Sequence, residues 1–149
     1  MNNLLSVALC EYGVQEIIGG MHNPQILKYF KVSGHNWVKD DETAWCSSFI
    51  NYVAIKSGHE ASMKLNARSW LDIGTPTSNP VIGDIVIYWR GLRDSWKGHV
   101  GIFINYDEDG ININTLGGNQ KNSVCIMGYD KGRLLGFRKL NKLANDNTC

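Results

Sequence analysis

The chain lacks the features that would anchor it in a membrane or direct it across one. None of its apolar runs approaches the roughly 20 residues that a membrane-spanning helix needs. Residues 1–11 have no basic segment ahead of their apolar residues, so they do not match a secretion signal. We therefore expect a chain made in the cytoplasm with no membrane span.

An excess of charge of one sign is also missing. Lys and Arg together number 15 and Asp and Glu 14, which gives a formal net charge of +1. A nucleic-acid-binding domain usually carries a broad basic surface. We expect no nucleic-acid partner, although a local positive patch suited to an anionic polymer stays open.

The cysteines are not paired in the C-x-x-C pattern that zinc sites and thioredoxin-like redox sites use. Without a secretion signal, free thiols are expected. The acidic run at residues 107–110 lacks the alternating ligands and distal glutamate of a calcium loop, and we interpret it as a hairpin turn. We expect no metal and no cofactor. The four cysteines are Cys10, Cys46, Cys125 and Cys149.

The order of the predicted elements indicates an α+β fold. A chain of 149 residues suggests one domain, here residues 1–140, followed by a polar tail at 141–149. Helical periodicity comes first, with strand patterns after it, which predicts N-terminal helices on an antiparallel sheet of about five strands. Helices are predicted at 3–12, 14–18, from Pro24, and after Thr43; strands at 84–89, 99–105, 111–116, 124–127 and 134–138; loops at 75–80 and 117–122.

Cys46 is predicted to lie in the first turn of an amphipathic helix. Trp45, Phe49, Tyr52 and Val53 recur at helical spacing, with Thr43 placed to cap the helix. Unpaired amides and the positive helix dipole at that end favour a thiolate, and so a nucleophile. Taken alone, the pattern slightly favours a small buried core cysteine instead.

His99 is the histidine best placed to act on such a thiol. It begins a predicted strand in which His99, Gly101 and Phe103 share one face, and Gly101 leaves room for another backbone or a substrate. A histidine at a strand edge is more often a surface residue. Paired with Cys46, however, it could take the thiol proton and return it to a leaving amine.

A third polar group should orient the imidazole ring. The hairpin brings the end of the following strand back towards His99, and Asn119 is our choice, with Gln120 in reserve. An amide oxygen can accept the ring N–H. A role for Asn119 as a loop-capping side chain is about equally compatible with the sequence.

Several ordered motifs together resemble the NlpC/P60–CHAP superfamily of cysteine peptidases and amidases, and within it the small phage-associated branch. The resemblance spans about residues 23–138. Its motifs are W-C-S-S-F at 45–49, A-R-S-W-L at 67–71, G-D-I-V at 83–86, G-H-V-G at 98–101 and L-G-G-N-Q at 116–120.

This resemblance implies a papain-like fold with Cys46 as nucleophile and His99 as base. It also implies a substrate in bacterial peptidoglycan, cleaved at a peptide or amide bond by an endolysin-like endopeptidase or N-acetylmuramoyl-L-alanine amidase. The third residue varies in the superfamily, and the matching loop here contains no acid. A protein of this kind, expected to be a monomer, would reach the periplasmic or extracellular wall after release or delivery.

The remaining expectations concern the substrate groove. The backbone N–H of Cys46 is a candidate oxyanion donor. Groove residues are expected among Trp37, Trp45, Ser47, Trp96 and Gln120, although Trp45 also suits the core. Two alternatives to a wall hydrolase stay open: a catalytically silent wall-binding or phage structural module, and another Cys–His acyl transfer.

Overall fold

The computed structural model describes residues 3–144 and has the predicted α+β architecture. None of the helices within these residues combines the length and the apolar character that a membrane span requires. The helices are α1 (Asn3–Cys10), α2 (Pro24–Val32) and α3 (Cys46–Lys56), with short 3-10 turns at Ala67–Asp72 and Lys131–Arg133; the strands are β1 (Thr75–Thr77), β2 (Ile85–Trp89), β3 (Gly98–Tyr106), β4 (Asn112–Gln120), β5 (Ser123–Asp130) and β6 (Leu134–Lys139).

The six strands form one curled antiparallel sheet in the order β1-β6-β2-β3-β4-β5. Strand β3 lies near its centre, paired with β2 on one side and β4 on the other. The β3–β4 pairing starts only at Ile102 opposite Leu116, so the first residues of β3 and the last of β4 are not paired with each other. That gap leaves space for side chains at the end of the sheet.

Helix α3 is the centre of the larger core. Its predicted apolar stripe, including Phe49 and Val53, is buried, but so are its polar residues Ser47, Ser48 and Asn51. Helix α2 covers one side of α3, and β3 and β4 cover the other. A helix that is buried on almost every side is held by tertiary packing rather than by one amphipathic face.

The two faces of β3 contribute to two different apolar clusters, as alternation along the strand predicts. Val100 and Ile102 belong to the larger cluster, together with α3. Phe103 belongs to a smaller cluster that includes Tyr88 and Phe137 on the opposite face of the sheet. His99 shares the parity of Phe103, so its side chain belongs to the second face.

Three local predictions are wrong. Residues 75–77, expected in a loop, form a sixth strand on β6, because Thr75 and Thr77 pair with Lys139 and Phe137. Residues 14–18 are not helical, and Gln15 forms an isolated bridge with Ser123. The expected loop at 117–122 is largely strand, since β4 continues to Gln120 with a register shift between Gly117 and Gln120.

The predicted tail at 141–149 is described as far as residue 144. His59 pairs with Lys142 in an isolated bridge, and Glu60 accepts hydrogen bonds from the backbone and side-chain amides of Asn141. This part of the tail is therefore attached to the domain. Residues 145–149 lie outside the described residues.

Candidate active site

Helix α3 begins at Cys46 itself. The expected cap is wrong, because Thr43 donates both its hydroxyl and its backbone N–H to Asp40 Oδ1 and caps nothing in α3. Trp45 occupies the cap position without a side-chain cap bond. Its indole is fully buried and donates to Glu16 Oε1 at 2.8 Å, so tertiary packing fixes the helix start.

The Cys46 sulfur lies against the first residues of β3. The backbone N–H of Val100 donates a hydrogen bond to it, and the N–H groups of Ser47 and Cys46 at the helix start also point to it. Val100 follows His99 directly in the strand. The structure therefore brings the predicted nucleophile and the strand position of the predicted base to the same end of the sheet.

His99 is held by Gln120 rather than by Asn119. The ring Nε2 lies 2.9 Å from Gln120 Oε1. The amide nitrogen of Gln120 donates to the carbonyl oxygens of Thr115 at 3.1 Å and Cys125 at 2.7 Å, which leaves its oxygen as the acceptor facing the ring. We infer that Nε2 carries the proton and that Nδ1 offers its lone pair.

Asn119, the first choice for the orienting residue, has a left-handed backbone with φ 58°. Among the described residues, its side chain makes no hydrogen bond to His99. The residue lines the cavity beside the imidazole instead. The reserve candidate Gln120 therefore makes the contact that was expected of Asn119.

The two glycines before Asn119 permit this close packing. A Cβ atom on Gly117 would lie 2.3 Å from Gln120 Oε1 and 3.4 Å from His99 Nε2. A Cβ atom on Gly118 would lie 2.6 Å from the Trp45 ring. The space expected beside Gly101 is also taken, by Thr115 and the backbone of Leu116.

Aromatic rings cover the imidazole. Tyr129 stacks on His99 with ring centroids 4.8 Å apart and an interplanar angle of 21°. Tyr88 stacks on Tyr129 at 4.9 Å, and its hydroxyl lies 2.6 Å from Thr115 Oγ1. This stack restricts rotation of the ring and excludes water from its face.

Burial dominates the acid–base properties of the pair. It raises the pKa of the Cys46 thiol, opposed by the Val100 and Ser47 amides and by the positive charge of Arg90. Burial lowers the pKa of His99 to about 4, partly offset by Gln120 and reinforced by Arg90. The expected depression of the thiol pKa is thus wrong, because desolvation outweighs the helix-start amides. Both shifts favour the uncharged forms of the thiol and the imidazole at neutral pH.

Two cavities open at this end of the sheet and share Arg90. One, of about 220 Å³, is lined by His99, Gln120 and Tyr129; the other, of about 240 Å³, by Cys46, Trp96 and Lys97. A continuous groove past both reacting groups would therefore pass Arg90.

Of the expected groove residues, Trp96 is well placed. Its side chain is 73 % exposed and lines the cavity that contains Cys46. Arg68 fixes the loop that carries it, with three hydrogen bonds from its guanidinium group to the backbone oxygens of Leu92, Arg93 and Lys97. This gives the arginine of the A-R-S-W-L motif a structural role.

Gln120, also expected in the groove, lines the cavity beside His99, whereas the structure puts Trp37, Trp45 and Ser47 elsewhere. Trp45 and Ser47 are in the core rather than in a groove, and Ser47 Oγ donates to the Lys64 carbonyl oxygen and accepts from Trp70 Nε1. Trp37 is 65 % exposed but lines neither of the two cavities. Proximity to Cys46 in sequence did not predict a position in the groove, because most neighbours of the first residue of a buried helix pack into the core.

Sequence reasoning missed Arg90 and Tyr129. Arg90 follows the last residue of β2, and the β2–β3 pairing brings that end of β2 beside His99. Tyr129 lies on the edge strand β5, 30 residues after His99 in the numbering. Only the strand order could have placed either one at the site, since neither belongs to a recognisable motif.

The fold and the site together define a papain-like α+β domain, in which a cysteine at the start of a buried helix lies against a strand that carries a histidine. The family model for the CHAP domain matches residues 38–119, more than half of the chain, and the chain belongs to this family. Cys46 and His99 lie inside the matched range, and Gln120 is the first residue beyond it. No curated protein matches the chain.

CHAP domains are typically cysteine- and histidine-dependent hydrolases. Membership in the family indicates, in general terms, hydrolysis of peptidoglycan by an amidase or peptidase activity. It does not distinguish the phage-associated branch, which stays a prediction from the motifs.

Proposed function

We propose that the protein is a peptidoglycan hydrolase that cleaves a peptide or amide bond of the bacterial wall through Cys46 and His99. One observation carries the proposal: the amide of Val100 donates to the Cys46 sulfur, one residue from a histidine whose ring is held by Gln120. A buried thiol and a buried, oriented imidazole at the same end of a sheet are the parts that thiol-dependent acyl transfer needs.

The proposed reaction begins from the neutral pair. His99 Nδ1 accepts the thiol proton as the Cys46 sulfur attacks the carbonyl carbon, and the backbone amides at the start of α3 share the negative charge of the tetrahedral oxygen. The C–N bond then breaks, and the imidazolium gives its proton to the leaving amine. Water, deprotonated by His99, hydrolyses the thioester and restores the thiol.

The test compares Cys46→Ala and His99→Ala with the wild type and with Cys10→Ala. We expect each of the first two changes to reduce fragment release from purified walls by about 10³-fold or more, because each removes a group that the chemistry requires. Cys10 is an exposed cysteine in α1 and serves as the matched control. Turbidity loss and mass spectrometry of the released fragments measure activity, and circular dichroism monitors folding.

If the folded Cys46→Ala protein released fragments at the wild-type rate, the proposed function would be wrong. The masses of the fragments also separate the two versions of the proposal. New amino termini within the stem peptides identify an endopeptidase, whereas release of the whole stem from the sugar identifies an amidase.

The low exposure of Cys46, 6 %, favours a second candidate, a silent wall-binding or phage structural module. Such a module would bind walls without releasing fragments and would be indifferent to alkylation of its thiols. Inactivation by a thiol alkylating reagent, with modification mapped to Cys46, counts against it. An acyl transfer to another acceptor would instead give products that retain the acyl group on an amine.

The endolysin-like role and the phage origin are finer proposals, and they rest on the ordered motifs. They predict lysis when the protein is applied to living or permeabilised bacteria. The proposed site of action is the wall, because that is where the proposed substrate is.

A further inference from the structure

Among the described residues, those that line the two cavities at the site include four cations and no acidic side chain. The cavity beside His99 is bordered by Arg90, Lys121 and Arg133, and the cavity beside Cys46 by Arg90 and Lys97. The chain as a whole has a net charge of only +1. The positive charge at the site is therefore local and is not a reflection of the overall composition.

These cations have no carboxylate partner within residues 3–144. The two ion pairs in that part of the chain join His22 to Asp41 and Lys139 to Asp84, both away from the cavity linings. Arg133 lies over the Trp89 ring at 5.1 Å and Lys97 over the Trp96 ring at 6.0 Å, contacts that leave their charges available. An unpaired group of cations in a groove favours an anionic ligand.

Arg90 has the central position in this group. Within residues 3–144 it is the only one that lines both cavities, and so it lies between the space beside Cys46 and the space beside His99. Its charge acts on both groups, because it contributes to the pKa of each. Its planar guanidinium group can bind a carboxylate through two parallel hydrogen bonds.

We propose that Arg90 binds a carboxylate of the substrate peptide next to the bond that is cut, so that the protein selects peptides whose carboxylate is free rather than amidated. The inference rests on the proposed function. It adds a specificity-determining residue and a chemical requirement on the substrate. Lys97, Lys121 and Arg133 attract the same anionic peptide over a longer range.

The experiment uses soluble peptidoglycan fragments with their amines acetylated, divided into two pools. One pool keeps its carboxylates, and in the other they are converted to amides with carbodiimide and ammonia. We expect the wild type to prefer the free pool by about tenfold to a hundredfold in kcat/KM, the range for hydrogen bonds to a charged group. Arg90→Gln should lose this preference by losing activity on the free pool, with most of the change in KM.

Arg93→Gln is the matched control. Arg93 lies in the same loop region and is exposed, lines neither cavity, and contributes only its backbone oxygen to Arg68. Its replacement removes the same charge, and the preference for the free pool should persist. If net charge alone caused the effect, Arg90→Gln and Arg93→Gln would lose the preference for the free pool to the same extent.

A binding measurement separates this inference from the proposed function. Calorimetry with Cys46→Ala and with Cys46→Ala/Arg90→Gln compares the affinity for the two pools without turnover. If the wild type cleaves neither pool but Cys46→Ala binds the free pool tenfold more tightly, carboxylate recognition stands and the proposed function falls. If the wild type cleaves both pools equally, or Arg90→Gln slows both by the same factor, the inference is overturned while the proposed function stands.

Discussion

The two halves of the candidate site, both at the start of β3, are held in different ways. On the helix side, backbone amides surround the Cys46 sulfur, and a large core fixes α3. On the sheet side, side chains hold His99: Gln120 at its edge and Tyr129 on its face. Backbone amides cannot be changed by ordinary substitution, whereas side chains can. Packing changes on the helix side should therefore alter stability. Substitutions on the His99 side should alter catalysis and its pH dependence.

Acidification should have the strongest effect on stability, and it tests the burial of His99. Its pKa is about 4 in the folded protein against 6.5 for the ordinary value, so the unfolded chain binds the proton first on acidification. The contribution of neutral His99 to the free energy of unfolding is fully present above pH 6.5. It is lost progressively as the pH falls towards 4. This contribution reaches about 3 kcal/mol.

The measurement is the free energy of unfolding by denaturant at pH 7.5 and 4.5, for the wild type and His99→Gln. Other titrating groups, such as the buried Asp41, are common to both proteins and cancel in the difference. The wild type should lose more stability than the variant over this interval. Parallel pH dependence in the two proteins would show that His99 is not held neutral by burial. Activity should likewise begin to fall on the acid side near pH 4 to 5 rather than near 6.5.

The next effect tests packing on the helix side. Gly118→Ala would place a Cβ atom 2.6 Å from the Trp45 ring and 2.7 Å from Phe49 Cβ, so the helix start must move. We expect a loss of about 2 kcal/mol in the free energy of unfolding, typical of an overpacked core. Gly128→Ala is the control, since its Cβ would meet only ordinary contacts from 3.5 Å outwards. Equal stability of the two variants would contradict the close approach of β4 to α3.

The smallest effect distinguishes the two orienting candidates. Gln120→Ala removes the hydrogen bond to His99 Nε2 and should lower kcat by about tenfold, because the tautomer and orientation of the ring are no longer fixed. Asn119→Gly keeps the left-handed backbone and should change kcat less. A larger loss of kcat for Asn119→Gly than for Gln120→Ala would reverse the assignment made from the structure. The pH dependence of kcat separates a role in orienting His99 from a purely structural one.

Much of the fold was readable from local patterns. The burial of Phe49 and Val53 and the alternation of His99 with Val100 follow from helical and strand periodicity, and the structure agrees with both. The errors arose where local propensity competed with pairing. Thr75–Thr77 has the composition of a loop but finds a partner in β6, and Gly117 and Gly118 interrupt a strand pattern while allowing close packing.

The candidate site, like the fold, was predictable from the sequence only in part. Local patterns and ordered motifs predicted Cys46 at a helix start and His99 on a strand, while the choice between Asn119 and Gln120 depended on a register shift at the end of β4. A shift of one residue sends a side chain to the opposite face of a strand, so adjacent candidates cannot be separated without the register. Ser47 shows the same limit, since its burial depends on elements distant in sequence.

The class of fold, the helix that carries Cys46 and the strand that carries His99 follow from local patterns, because periodicity is a local property of the chain. The amide that faces the imidazole, the aromatic ring that covers it and the position of Arg90 between the two cavities follow from tertiary contacts. Those contacts join residues from separate strands, and their geometry is set by strand order, register and the close approach of α3 to the sheet.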